Sequence, residues 1–546
     1  VKQPDPNKNG GLHMSTAKIF NDFLKNKNKS ILPDFSYAGY QYGEKEIPSP
    51  ATAFSIADYG VVPDTEVDMT AAIQKAIDDV GSKGGGVLLF PKGRYAINTD
   101  PENPDYLRVN YSNIVLRGEG SGNDGSVLCS YNRLLLDNKP WLSPGIIHTG
   151  EHLWGNTAFM TPDDLTLVSR ITLSASKGDK LISLQDTSKL KAGDVILLCM
   201  KNTDDEGTLI HKLLSPHDID ESWENAYLAG RNRHASYQWL VEVDTVVNSE
   251  QILLKQPLRI DIETKFDPFV CQLDMLRNVG IENMRISSTW DGGGYTHHKN
   301  KEVDYGWTGI VMHRVSHGWV KDVVIEHLTQ GIQLRNSRNV TVKDCEIVGH
   351  PGHYGLKCYS MACDNLLEDI RIDNHRTHGL GLEGLTQGNV YRNIVLEGEG
   401  TDIDFHGGGI PSYNLIENVT NVGKIQGGGS RYNFPQCAHY NTFWNNAYLH
   451  SRHRRTNFRE DRLDELFQSW YWNKINRPEN DDHHMYTRSI VVGVYSVHPD
   501  KQVKIGGLTV DRHDEWIYVE GLNQMDVEPK SLYQAQLEIR LHEVRA

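Results

Sequence analysis

Long apolar runs are missing from this chain of 546 residues. Its mean hydropathy is −0.50, and no stretch approaches the roughly 20 apolar residues that a membrane-spanning helix needs. Cysteine is sparse: seven residues (129, 199, 271, 345, 358, 363 and 437), odd in number and without zinc-type spacing. Cationic side chains are outnumbered, 56 Lys and Arg against 71 Asp and Glu, for a net charge of −15. That balance argues against a nucleic-acid partner, and an anionic substrate would need a local basic patch. No secretion signal is visible in a chain that starts at Val1, and we expect a secreted, periplasmic or cell-surface protein whose signal has been removed. What remains is a loop-rich β composition with 49 glycines.

The chain is organised by a repeat. Seven nine-residue segments align: Asn278–Ile286, His317–Ile325, Asn339–Ile347, Asp364–Ile372, Gly388–Leu396, Tyr413–Asn421 and Tyr440–Tyr448. Their starts are 39, 22, 25, 24, 25 and 27 residues apart, and the long gap holds a polar insertion, Thr289–Asp304. Units this short cannot bury a core alone, so they imply stacking. The fourth position is apolar throughout (Ile281, Val320, Val342, Leu367, Tyr391, Ile416, Phe443). The sixth is always Asn or Asp (Asn283, Asp322, Asp344, Asp369, Asn393, Asn418, Asn445), and the ninth is Ile or Leu in five segments before it degrades. Apolar alternation over so few residues indicates short strands, and a fixed Asn/Asp position indicates a sharp corner stacked rung on rung. The architecture expected is all-β, a right-handed parallel β-helix. Cys345 and Cys358 fall on its apolar columns, which predicts buried thiols.

Residues 1–50 are expected to form an extended arm on the main body, and residues 51–120 a capping helix with the first coils. Within that second stretch stand Ala57-Asp58-Tyr59-Gly60, then Asp64, Asp68 and Thr70-Ala71-Ala72-Ile73-Gln74-Lys75-Ala76-Ile77. Gly84-Gly85-Gly86-Val87-Leu88-Leu89-Phe90-Pro91 follows. Ile73, Ala76, Ile77 and Val80 share a helical face that Asp68 or Thr70 can cap, and Val87–Phe90 reads as a buried strand. This segment closely resembles the opening motif of the pectate-lyase-like (pectin-lyase-like) superfamily. The resemblance implies a right-handed parallel β-helix, mostly lyases, hydrolases, epimerases and phage depolymerases acting on polysaccharides. Residues 121–270 break the rhythm as a β-rich insertion, with a polar excursion at Asn202–Tyr237 as a candidate lid. Residues 271–450 form the main coils and 451–546 a C-terminal capping region. That last region ends in a helix, capped by Ser531, expected to plug the coil.

A second strand aligns in each coil: Gly309–Arg314, Gly331–Asn336, Gly355–Ser360, Gly379–Gly384 and Asp402–Gly407. With Ile310, Ile332, Leu356, Leu380 and Ile403 pointing inward, two columns face out. One reads Val311, Gln333, Lys357, Gly381, Asp404; the other reads His313, Arg335, Tyr359, Glu383, His406. Loops add His353, His375, Arg376 and His378, and Arg431 lies further along. Glu397, Glu399 and Asp402 form an oxygen-rich loop of the kind that takes calcium. Gly407-Gly408-Gly409 would let a polymer lie close to the backbone.

Two chemistries compete for these residues. β-Elimination from a uronate needs a cation on the carboxylate, a base for the C5 proton and an acid for the leaving oxygen. Arg335, Lys357 and Arg376 supply cations, His406 or Lys357 a base, and Tyr359 an acid. Gln333, His353, His375, His378 and Arg431 are assigned to substrate binding. Asp404-Phe405-His406 with Lys357 and Tyr359 is similar to the Asp/His/Lys/Tyr set of alginate epimerases and some β-helix lyases, although the epimerase Asp-Pro-His-Asp run is absent. The alternative is glycoside hydrolysis by Glu383 and Asp404, at a diagonal of roughly 8 Å that suits inversion. A non-catalytic carbohydrate-binding protein ranks third.

Overall fold

The computed structural model describes residues 16–135, 140, 143–150, 166–216, 235–398, 401–427, 436–450, 462–469 and 482–545. Among them two long parallel sheets wind together as a β-helix. The sixteen-stranded sheet carries the nine-residue segments, and the nine-stranded sheet carries the second strand of each coil. The expected register holds: Ile281, Val320, Val342, Leu367, Tyr391, Ile416 and Phe443 are consecutive rungs. All seven are buried, each stabilising the stack by roughly 1.5–3 kcal/mol of apolar burial.

The sixth-position residues all adopt positive φ, between 51° and 57°. The first-position residues do so as well, from Asn339 at 51° to Gly388 at 68°. Asn and Asp tolerate the left-handed region because their short polar side chains bond locally, which explains the uninterrupted sixth column. The longest buried amide ladder, however, stands at the second position. Asn365 Nδ2 donates to Asn389 Oδ1 (2.8 Å), Asn389 to Asn414 (2.9 Å) and Asn414 to Asn441 (3.0 Å). Each Oδ1 also accepts a backbone N–H from the neighbouring coil. Val279, Gly318 and Val340 hold this position in the first three segments, so the column does not stand out by eye.

Helix Thr70–Ser82 covers the start of the helix with Ile73, Ala76, Ile77 and Val80 buried, and Asp68 accepts from the Thr70 amide at 2.8 Å. The Gly84–Gly86 turn, with φ of +100°, +100° and +143°, leads into strand Gly86–Phe90. Helix Lys18–Lys25 of the arm and the final helix Leu532–Arg545 share one apolar cluster with Leu366, Val390, Leu415 and Trp444. The final helix therefore lies along the outer face of the large sheet instead of plugging the coil's end. Ser531 caps it, accepting from the Gln534 amide at 3.1 Å. All seven cysteines are free and buried.

The insertion folds as a six-stranded antiparallel sheet that includes Val195–Lys201, Ala235–Asn248 and Gln251–Leu254. It docks on a corner of the coil. There the Glu242 carboxylate accepts from His317 Nε2 and from Arg277, both at 3.2 Å. Residues 217–234, with most of the candidate lid, lie outside the described residues, as do Arg452–Arg455, Trp470 and Trp472. Burial by itself would raise the Glu242 carboxyl, but the His317 hydrogen bond and the Arg338 and Arg277 charges hold it at about 2. His317 is itself lowered by burial and the nearby arginines, so at neutral pH it serves as a neutral donor and the arginines carry the opposing charge.

Three substitutions test the ladder, the corner and the Glu242 contact. Asn389→Ala takes the acceptor from the Asn365 N–H and Nδ2 on one neighbouring coil and a donor from Asn414 Oδ1 on the other, and should cost about 2–3 kcal/mol, read as a lower urea midpoint. Asn393→Gly, at a half-buried corner that glycine accommodates, should cost a few tenths of that or nothing. Glu242→Gln should cost about 2 kcal/mol at pH 7. Because the folded-state pKa is depressed, that difference from wild type should shrink as pH falls from about 4.5 towards about 2 and vanish below. A difference that persists at pH 2 would mean Glu242 acts through packing.

Candidate active site

Strands Thr308–His313, Gln330–Arg335, Gly352–Tyr359, Arg376–Glu383 and Asp402–Gly407 stack in parallel and build the site. Val311, Gln333, Lys357, Gly381 and Asp404 are aligned rungs, as expected. His313, Arg335 and Tyr359 are aligned too. The register then shifts: Leu382 pairs with Phe405 but Glu383 pairs with Gly407, leaving His406 as a bulge instead of Glu383's neighbour. Bulges of this kind re-aim a side chain. His406 turns back so that its Nδ1 lies 2.9 Å from Asp404 Oδ2.

The strands also begin earlier than the alignment suggests, which exposes a further column: Thr308, Gln330, Tyr354, His378, Asp402. Tyr354 is the main residue that reasoning from sequence missed. Its hydroxyl donates to Asp404 Oδ2 at 2.5 Å, across two coils. Gly381 makes the room: a Cβ there would stand 2.5 Å from the Tyr354 ring. The ammonium of Lys357 sits 4.2 Å over the Tyr354 ring and 5.0 Å over Tyr359, and pairs with Glu383 at 2.6 Å.

Burial would push both carboxyls up, yet both stand below their ordinary range. The neighbouring His378 and His406, with hydrogen bonds from His406 and Tyr354, depress Asp404. Lys357 and His406 depress Glu383. Burial and the Asp404 charge raise Tyr354 far above an ordinary phenol, so it keeps its proton. Burial lifts Tyr359 to about 12 against the pull of Arg335.

Next to this group lies a histidine cluster, part of which comes from the polar insertion. His378 Nδ1 is 2.7 Å from Asp402, and His353 Nδ1 is 3.0 Å from Asp304. His297 Nε2 is 3.1 Å from His353 Nε2, and Tyr305 bonds His298 at 3.3 Å. Burial raises Asp304 to about 6, lowers His298 to about 4 and drives His353 well below the usual imidazole range. The paired histidines His297-His298 were the available signal in an insertion that otherwise reads as spacer.

Other expected site residues are placed differently. Arg376 is fully buried and donates to the carbonyls of Leu328 (2.7 Å) and Thr329 (2.9 Å) and to Asn374 (2.8 Å), so it braces a turn instead of facing a substrate. Arg335 is also buried, its guanidinium 4.6 Å over the Tyr359 ring, with no hydrogen-bond partner among the described residues. Gln333 donates to Gln330 at 3.3 Å, and His375 is half-buried in the turn before strand Arg376–Glu383. Glu397 is bound by Arg371 at 2.7 Å on the outer sheet, whereas Asp402 is buried against His378, so these two calcium candidates are not drawn together. Glu399 and Arg431 lie outside the described residues. Gly407, Gly408 and Gly409 are buried, and a Cβ on Gly409 would stand 2.5 Å from the Gly384 backbone. They serve coil stacking, not an open floor.

Residues 275–446 match the family described as right handed beta helix region, and residues 53–253 match rhamnogalacturonase A/epimerase, pectate lyase-like. Residues 375–546 match a domain of unknown function, DUF4955. Mannuronan C5-epimerase AlgE3 of Azotobacter vinelandii is 38% identical over 69 residues, 13% of this chain and 4% of that protein. Alginate lyase 7 of the same organism is 35% identical over 69 residues, 13% of this chain and 8% of that protein. The chain thus spans under a tenth of the length of these relatives. The tailspike protein gp49 of Pseudomonas phage LKA1 has the same fold, with TM-score 0.50 at 14% identity over 81% of this chain and 64% of that one. Over residues 53–253 and 275–446 the chain matches pectate-lyase-like and right-handed β-helix family models, and its fold is a right-handed parallel β-helix.

Proposed function

We propose that the protein is a secreted or cell-surface enzyme that cleaves a uronate-containing polysaccharide by β-elimination. The observation that carries this reading is the Tyr354–Asp404–His406 chain beside Lys357. Asp404 holds His406 by Nδ1, which leaves the Nε2 lone pair to take the C5 proton. Lys357 neutralises the uronate carboxylate as charge moves onto it. Tyr354, still protonated, gives its proton to the departing O4, so the C4–O bond breaks and a C4–C5 double bond forms.

Hydrolysis by Glu383 and Asp404 fits less well. That reaction needs one carboxyl kept protonated, usually by a raised pKa, and here both are depressed. C5 epimerisation is the second reading. It shares the first step and is favoured by the stretch similar to a mannuronan C5-epimerase. A carbohydrate-binding role without catalysis would leave the Tyr354–Asp404–His406 chain unused.

The test is ultraviolet absorbance from unsaturated uronate during digestion of uronate polymers, with neutral and sulfated glycans assayed for new reducing ends. The absorbance should rise, and His406→Ala, Lys357→Ala or Tyr354→Phe should each slow it about 10²–10⁴-fold. Gly381→Ala should also slow it, by displacing the Tyr354 ring. Reducing ends without absorbance, abolished in Glu383→Gln, would replace elimination with hydrolysis. Deuterium entering C5 without chain cleavage would replace it with epimerisation.

A further inference from the structure

We propose that His297, His353 and His378 form a three-histidine site for one divalent transition-metal ion of the zinc class. Their ligating nitrogens all lie within 4.8 Å of one another. One pair, His297 Nε2 and His353 Nε2, is 3.1 Å apart. Two imidazoles on one tetrahedral ion, with bonds of about 2.0–2.1 Å, hold their nitrogens roughly 3.3 Å apart. That pair already stands at the spacing an ion requires, and the third nitrogen, within 4.8 Å of both, has to close in by at most about 1.5 Å.

The carboxylates behind the rings give independent support. His378 presents Nδ1 to Asp402 at 2.7 Å, and His353 presents Nδ1 to Asp304 at 3.0 Å. Both carboxylates and both histidines are buried. A proton held at Nδ1 leaves the Nε2 lone pair as the metal-facing atom, the arrangement that orients most metal-bound histidines. The Asp304 contact is short but off the hydrogen-bond axis, so Asp304 Oδ1 and His353 Nδ1 both lack a hydrogen bond among the described residues. A small rotation of the His353 ring on binding an ion would align them.

The donor set selects the ion. Three imidazoles without thiolate, each binding through a deprotonated nitrogen, suit zinc, copper, nickel or iron, whereas calcium and magnesium require oxygen. Three protein ligands leave a fourth position open, as in catalytic zinc sites. His378 Nε2 lies 3.9 Å from Asp404 Oδ2, so that position opens towards the Tyr354–Asp404 group. The site is distinct from the Glu397–Glu399–Asp402 loop, and only Asp402 belongs to both, here as a support behind His378.

The experiment uses the whole chain, stripped with a chelator and titrated with zinc, with cobalt as an optical probe. Expected are one ion per chain and the intense visible bands of tetrahedral cobalt. His297→Gln should weaken binding about 100-fold, and Asp402→Asn should weaken it about 10- to 100-fold. His297 is only half-buried, so its variant should fold normally, with circular dichroism as the check. No bound ion, affinity unchanged in His297→Gln, or calcium competing as well as zinc would each overturn the proposal. All these readouts are taken without substrate, so they decide the site independently of the elimination assay.

Discussion

Every coil of this molecule depends on backbone bends that L-residues ordinarily avoid. First- and sixth-position residues in all seven segments take positive φ, and a stack can form only if successive coils bend at the same place. The Asn365–Asn389–Asn414–Asn441 ladder then saturates donors and acceptors that the bends would leave orphaned in a buried corner. With bends and ladder in place, the sheet spacing of about 4.8 Å becomes a ruler. Residues 50 apart in sequence, Tyr354 and Asp404, meet at 2.5 Å because the ruler sets them two coils apart.

The site uses that ruler to bury charge. Two carboxylates, a lysine and several histidines occupy a small volume, an arrangement that costs stability unless each charge is paired and hydrogen-bonded. Here Lys357 faces Glu383, and Asp404 receives Tyr354 and His406. The result is two ionised carboxylates and a protonated phenol side by side. That combination separates proton acceptor from proton donor without a neutral carboxylic acid.

Neither the coil nor the cluster is complete from repeats alone. Asp304, His297 and His298 arrive from the polar insertion between the first two segments and stand against His353. A solenoid tolerates such excursions because each coil contacts only its neighbours. The antiparallel insertion and the terminal helix likewise cover corners and outer faces, and they leave the columns undisturbed.

Local chemistry repeated at a fixed period is readable without coordinates. The fourth-position apolar column, the sixth-position Asn/Asp corner and the Thr70–Ser82 cap all report their structure through residue type, so the amino-acid sequence by itself determined the β-helix and the Lys357–Asp404 column. Features that depend on one coil's departure from the average were not readable. The bulge at His406, the reach of Tyr354 over Gly381 and the inward turn of Arg376 follow from packing between particular coils, and no residue type announces them. The histidine cluster goes furthest in this respect. Its members lie 25 and 56 residues from His353 in sequence, on different elements, and only the tertiary fold could bring their nitrogens to a common point.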